Sequence, residues 1–151
     1  MSESPLAARP EDEADAGPQA LAEALRAEHA AVYGYEFVGG AADGEGDRER
    51  ARTTALDHKA LRDELHALAV ARGFDPPPAK NSYPLPRERD SGSLRAFAVG
   101  LEEAAARAYL WLAAAQDTEL RVTGARNLQG ATLRTLEWGG ELDPLPGFDQ
   151  G

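Results

Sequence analysis

The stretch FDPPPAKNSYPLPRERDSG, residues 74–92, decides the fold. Five of its residues are proline, which fixes φ, lacks an N–H and pushes the preceding residue out of the helical region. It therefore reads as a long connection, neither helix nor inner strand. Outward from it, residues 19–75 and residues 87–143 contain no proline at all, and each stretch is 57 residues long. Each has room for two helices of roughly 24 residues and a turn. The composition agrees: 30 of 151 residues are Ala, 18 are Leu and none is Ile. Ala and Leu lose little entropy in a helix. The expected chain is all-α.

The first helix is expected to start at Pro18 and run to about Ala41, with a turn marked by Gly39, Gly40, Gly44 and Gly46. The second should run from about Asp47 to Arg72, with Gly73 just beyond its end. Ser91 or Ser93 should cap the third, which ends near Ala115. The fourth should run from Thr118, behind Asp117, to Trp138, before Gly139 and Gly140. The links are then short, long, short. One long Pro-rich crossover between helices 2 and 3 is the arrangement of a ferritin-like four-helix bundle, and a simple up-down bundle would not need that length.

Apolar spacing shows which polar residues face inward. On helix 1, Leu21, Leu25 and Val32 set a stripe, with Glu28 and Glu36 about 40° from its centre and His29 about 60°. On helix 2, His58 flanks the Leu61, Leu65 and Leu68 stripe. On helix 3, Glu102 and Tyr109 lie at the margin of the face formed by Leu94, Leu101, Ala105 and Leu112. Helix 4 has one apolar face at Leu120, Leu128, Ala131 and Trp138. A second lies at Val122, Ala125, Leu133 and Leu136. A weak repeat links EHAAVYGYEF (28–37) with EEAAARAYLW (102–111), pairing Glu28 with Glu102 and Tyr35 with Tyr109. It suggests a duplicated helical hairpin.

Charge excludes several functions. The net charge is −10, and fourteen of the sixteen basic residues are single, scattered Arg. No basic face exists to displace counterions from nucleic acid, and an anionic membrane surface is equally disfavoured. There is no apolar run long enough to span a bilayer. With no Cys, thiolate metal sites and thiol nucleophiles are out. No phosphate loop or Ser-His-Asp ordering is present. Residues 1–17 carry five acidic residues against Arg9 and lack the features of a signal peptide. The reading is a disordered acidic tail over 1–17, a bundle over 18–151, and a cytoplasmic protein.

The segments LRAEHAAVYGYEFVGG (25–40), LDHKALRDELHALAVARGFDPPPAKNSYPLP (56–86) and LEEAAARAYLWL (101–112), with the terminal Trp138, resemble an actinobacterial ferritin-like family known only as a domain of unknown function. The resemblance covers about residues 18–148. It implies a dimeric ferritin-like bundle and no assigned activity. The wider superfamily holds di-iron and di-manganese sites with one Glu on each of two helices and Glu-x-x-His on the other two. Glu28 and Glu102 match the two single carboxylates. Helix 2 offers Asp63 and His66, which point to solvent, and an inward His58 with Ala55 three positions before it. Helix 4 has no His, and its Glu137 points outward.

Three readings of the inward polar residues stand side by side. In the first, His29, Tyr35, Glu36, Arg62, Tyr109 and Arg134 join Glu28, His58 and Glu102 in a core hydrogen-bond network that fixes helix register. In the second, Glu28, His58 and Glu102 hold a single iron, manganese or zinc ion. The third is a small-molecule pocket in the bundle core. The leading expectation is a non-catalytic binding or structural protein with a degenerate metal site and no cofactor. The alternative is an iron- or manganese-dependent oxidoreductase or iron-handling protein. The second apolar face of helix 4 predicts a homodimer.

Overall fold

The computed structural model describes residues 10–142, with side chains from Ala16 onward. Four helices follow in order: α1 (Pro10–Ala41), α2 (Glu45–Ala71), α3 (Ser91–Leu112) and α4 (Thr118–Glu137). The described residues contain no strand and no helix long and apolar enough to cross a membrane.

α1 begins at Pro10, earlier than the expected Pro18, which lies inside the helix. The expectation rested on the lost N–H bond and the ring clash of an internal proline. The helix is nonetheless continuous through Pro18, and just before it Gly17 is buried, where a Cβ would lie 3.4 Å from Leu120 Cδ1 on α4. Residues 10–17 of the expected tail thus belong to α1, and residues 1–9 lie outside the described residues. α2 ends as expected, with Gly73 at φ +74 just past its cap. Asp90, not a serine, caps α3 by accepting from the Ser93 amide. Asp117 caps α4 by accepting from the amides of Glu119 and Leu120.

Ion pairs fix the helix directions. Asp47 at the start of α2 meets Arg95 at the start of α3, while Arg72 at the end of α2 meets Asp117 and Glu119 at the start of α4. So α2 and α3 run the same way and α4 runs against both. Tyr35 and Tyr109 cross between α1 and α3 in a sense that makes those two antiparallel. Residues 72–90 carry the chain back along α1: the Pro77 carbonyl meets His29, Tyr83 packs edge-on against Tyr33, and Arg89 lies over Phe37.

The core has two apolar halves. One contains Leu21, Leu25, Leu65, Tyr109, Leu112 and Leu120; the other contains Tyr35, Val38, Leu94, Ala98 and Trp138. Each buried Leu contributes about 1.5–3 kcal/mol. Between the halves, at the levels of Glu28, His58 and Glu102, lies a polar layer with no solvent exposure.

Candidate functional site

The polar layer is built by all four helices. His58 comes from α2, on the same face as Ala51, Ala55 and Leu65, and its ring lies between two carboxylates. Its Nδ1 meets Glu28 Oε1 of α1, and its Nε2 lies 2.8 Å from Glu102 Oε2 of α3. Tyr35 donates to Glu102 Oε2 at 2.6 Å, with the Ala98 carbonyl 3.2 Å away. Tyr109 donates to Glu28 Oε2. From α4, Arg134 Nε donates to Glu102 Oε1 at 3.0 Å. The Tyr35 ring stacks on His58, with centroids 5.3 Å apart and 11° between planes.

Electrostatics follow from this enclosure. Burial alone would lower the His58 pKa, but hydrogen bonds to Glu102 and Glu28, with their charges, push it up to about 9. Burial pushes Glu102 upward, yet His58, Arg134 and Tyr35 together hold it below the usual carboxylate range. Burial first, and the neighbouring carboxylate next, push Tyr35 and Tyr109 well above the ordinary tyrosine range. Burial opposes the Arg134 charge, but Glu102 raises its pKa further. Two carboxylates therefore face one imidazolium and one guanidinium, and the layer balances.

This arrangement does not suit a cation. Both imidazole nitrogens of His58 are already engaged, Nδ1 with Glu28 and Nε2 with Glu102. All four carboxylate oxygens of Glu28 and Glu102 already have a donor from the protein. The buried side-chain polar atoms left without a partner among the described residues are all donors: Asn127 Nδ2, Arg134 Nη2 and Trp138 Nε1. Among the described residues, no group of three or more His, Asp and Glu side chains is placed to hold a metal ion.

The structure brings together Glu28, His58, Glu102, Tyr35, Tyr109 and Arg134. It does not bring in the other three expected network members. His29 is half-buried and meets the Pro77 carbonyl at 3.1 Å. Glu36 is exposed and pairs with Lys59. Arg62 reaches out to Asp63, its long stem leaving the guanidinium at the surface. Glu36 was placed inward from Leu21, Leu25 and Val32. Ala20, Ala24, Ala31, Tyr35 and Val38 are also buried, and they turn the centre of the stripe by about 60° away from Glu36. Asp63, His66 and Glu137 are exposed, as their angles imply.

The chain is similar to the crystal structure of a conserved hypothetical protein, rv2844, from Mycobacterium tuberculosis. The TM-score is 0.77 and the identity 28%, over 83% of this chain and 89% of that one. Its source fits the actinobacterial resemblance. No curated protein matches the chain. A family match spans nearly all of the described bundle: the chain belongs to the family described as Domain of unknown function (DUF4439), which matches residues 20–150.

Proposed function

We propose that the chain is a ferritin-like bundle that works as a non-catalytic binding or structural protein, with its own cations where the superfamily places metal. The observation that carries this reading is the saturation of Glu28 and Glu102 by His58, Arg134, Tyr35 and Tyr109. In a metal carboxylate bundle, inward carboxylates are neutralised by ions. Here the neutralising charges are covalently part of α2 and α4. The layer is closed to solvent except along the Arg134 side chain, which supports a structural role over catalysis on a substrate. It fixes register: a slip of α2 would take His58 from both carboxylates and leave buried Glu28 without a cation. The parallel course of α2 and α3, with residues 72–90 returning along α1, supports the ferritin-like topology. The same reading includes a homodimer through the outer face of α4.

The test is metal content after growth with iron, manganese and zinc, followed by thermal melts with chelator and with each ion. The expected result is substoichiometric metal and unchanged melting. An ion-dependent rise in Tm that disappears in Glu28→Gln and His58→Ala would overturn the reading in favour of a metal-dependent protein.

A further inference from the structure

A groove of about 570 Å³ runs between α1 and α3, rimmed by the connection at Pro78, Lys80 and Tyr83. It shares no residue with the buried layer. Small side chains leave room for it: Ala27 and Ala30 of α1 and Ala104 and Ala108 of α3 line it. Its ends are aromatic. Trp111 is 40% exposed, unusual for the largest side chain, and Tyr83 is held by its ring contact with Tyr33 and by accepting the Lys80 amide at 2.8 Å. The rim is therefore anchored, and the cavity stands in the free protein.

Charge singles this groove out. In a chain of net charge −10, it gathers Arg26, Lys80 and Arg107 against the single acid Glu23. Arg26 is paired with that Glu23 at 2.6 Å. The Lys80 ammonium and the Arg107 guanidinium have no hydrogen bond or ion pair among the described residues. Most other cations of the bundle are bound to an acid, a carbonyl or an aromatic ring. Two free cations above an alanine floor, between an indole and a phenol, match one ligand chemistry: a flat apolar body carrying an anionic group.

We propose that this groove binds a small aromatic carboxylate. The body lies on the alanine floor between Trp111 and Tyr83, and the carboxylate meets Arg107 and Lys80. This site stands whether or not the buried layer takes a metal.

The test is a two-dimensional amide NMR titration of the full chain with 2-naphthoate. The neutral 2-naphthalenemethanol and inorganic phosphate serve as controls. Expected are saturable shifts at Ala30, Tyr83, Arg107 and Trp111, with binding at least tenfold weaker for the alcohol and for phosphate. Arg107→Ala and Lys80→Ala, both at exposed positions, should each weaken naphthoate at least fivefold with Tm unchanged. Trp111→Ala should do the same. The proposal is overturned by an absence of saturable shifts or by shifts elsewhere on the bundle. Equal binding of the alcohol or phosphate, or unchanged affinity in the Arg107 and Lys80 variants, also overturns it.

Discussion

Tyr35 on α1 donates to Glu102 on α3 at 2.6 Å, and the reverse pair, Tyr109 on α3 to Glu28 on α1, repeats it across the bundle. Each tyrosine stands seven residues after the glutamate of its own helix, yet serves the glutamate of the other. The weak sequence repeat thus has a physical meaning. Two equivalent helices hold each other by exchanging one donor and one acceptor, with His58 bridging the acceptors. Removing the Tyr109 hydroxyl strands Glu28 Oε2, whereas Glu102 Oε2 keeps its bond to His58 when Tyr35 loses its hydroxyl. Tyr109→Phe should cost about 1–3 kcal/mol in chemical denaturation, and Tyr35→Phe the smaller loss of about 0.5–1.5 kcal/mol. A cost near zero for both would mean that the exchange does not hold the helices.

The layer also makes stability depend on pH. The His58 pKa lies at about 9, above its unfolded value of 6.5. A raised folded pKa stabilises fully below the unfolded value, and that stabilisation is lost as pH rises through the folded one. Unfolding free energy should therefore fall between about pH 6.5 and pH 9. Glu102, held below the usual carboxylate range, acts in the opposite sense. Its contribution is present above the unfolded carboxylate pKa and is lost as pH falls through the lower folded value. Urea denaturation across pH 3–10, with imidazole NMR titration of His58, checks both limbs. A flat alkaline limb, or an imidazole titrating near its unfolded value, would contradict the charged-ring assignment.

Glycines inside helices separate two kinds of packing. A Cβ on Gly124 would lie 2.8 Å from the Leu112 carbonyl carbon and 2.9 Å from Ala113 Cα, so α4 crosses the end of α3 at backbone contact. Gly124→Ala should destabilise by about 1–3 kcal/mol, because backbone cannot yield as a side chain can. A Cβ on Gly100 meets nothing within 4 Å. Gly100→Ala should stabilise by about 0.5–1 kcal/mol through helix propensity alone. Thermal melts of the two variants should move in opposite directions, and movement in the same direction would refute the crossing.

The helices were legible because proline and glycine punctuate the chain and Ala and Leu fill the rest. Glu28, His58 and Glu102 were legible because each lies on or near an apolar stripe. Glu36 was not, because alanines count for little in a stripe drawn through Leu and Val, although they occupy much of the true α1 face. His29 and Arg62 depend on partners that periodicity does not rank: a carbonyl in the connection and an adjacent aspartate. The groove had no local signal at all. Arg26, Lys80 and Arg107 come from three segments, and only the return of residues 72–90 along α1 brings them together.

The outer surface of α4 yields the last prediction. Val122, Leu133 and Leu136 are 53%, 62% and 49% exposed, and Ala125 is exposed beside them. Their spacing is that of one continuous face opposite Leu120, Asn127 and Ala131. On α2, Leu56 and Val70 are also exposed, on the side of the helix nearer α1 than α4. Helical spacing sets them on the side away from the core. The α4 face by itself therefore presents a row of large apolar side chains to solvent. A two-fold axis would set this row against its own copy, apolar on apolar, without requiring any complementary second protein. Leu133→Glu together with Leu136→Glu places two carboxylates on each side of that contact, and their four charges repel across it. Light scattering should show a dimer for the unaltered chain and a monomer for the double variant. The intramolecular core should stay intact, because neither position contributes to it. A monomeric unaltered chain at micromolar concentration refutes the dimer, as does a double variant that remains dimeric.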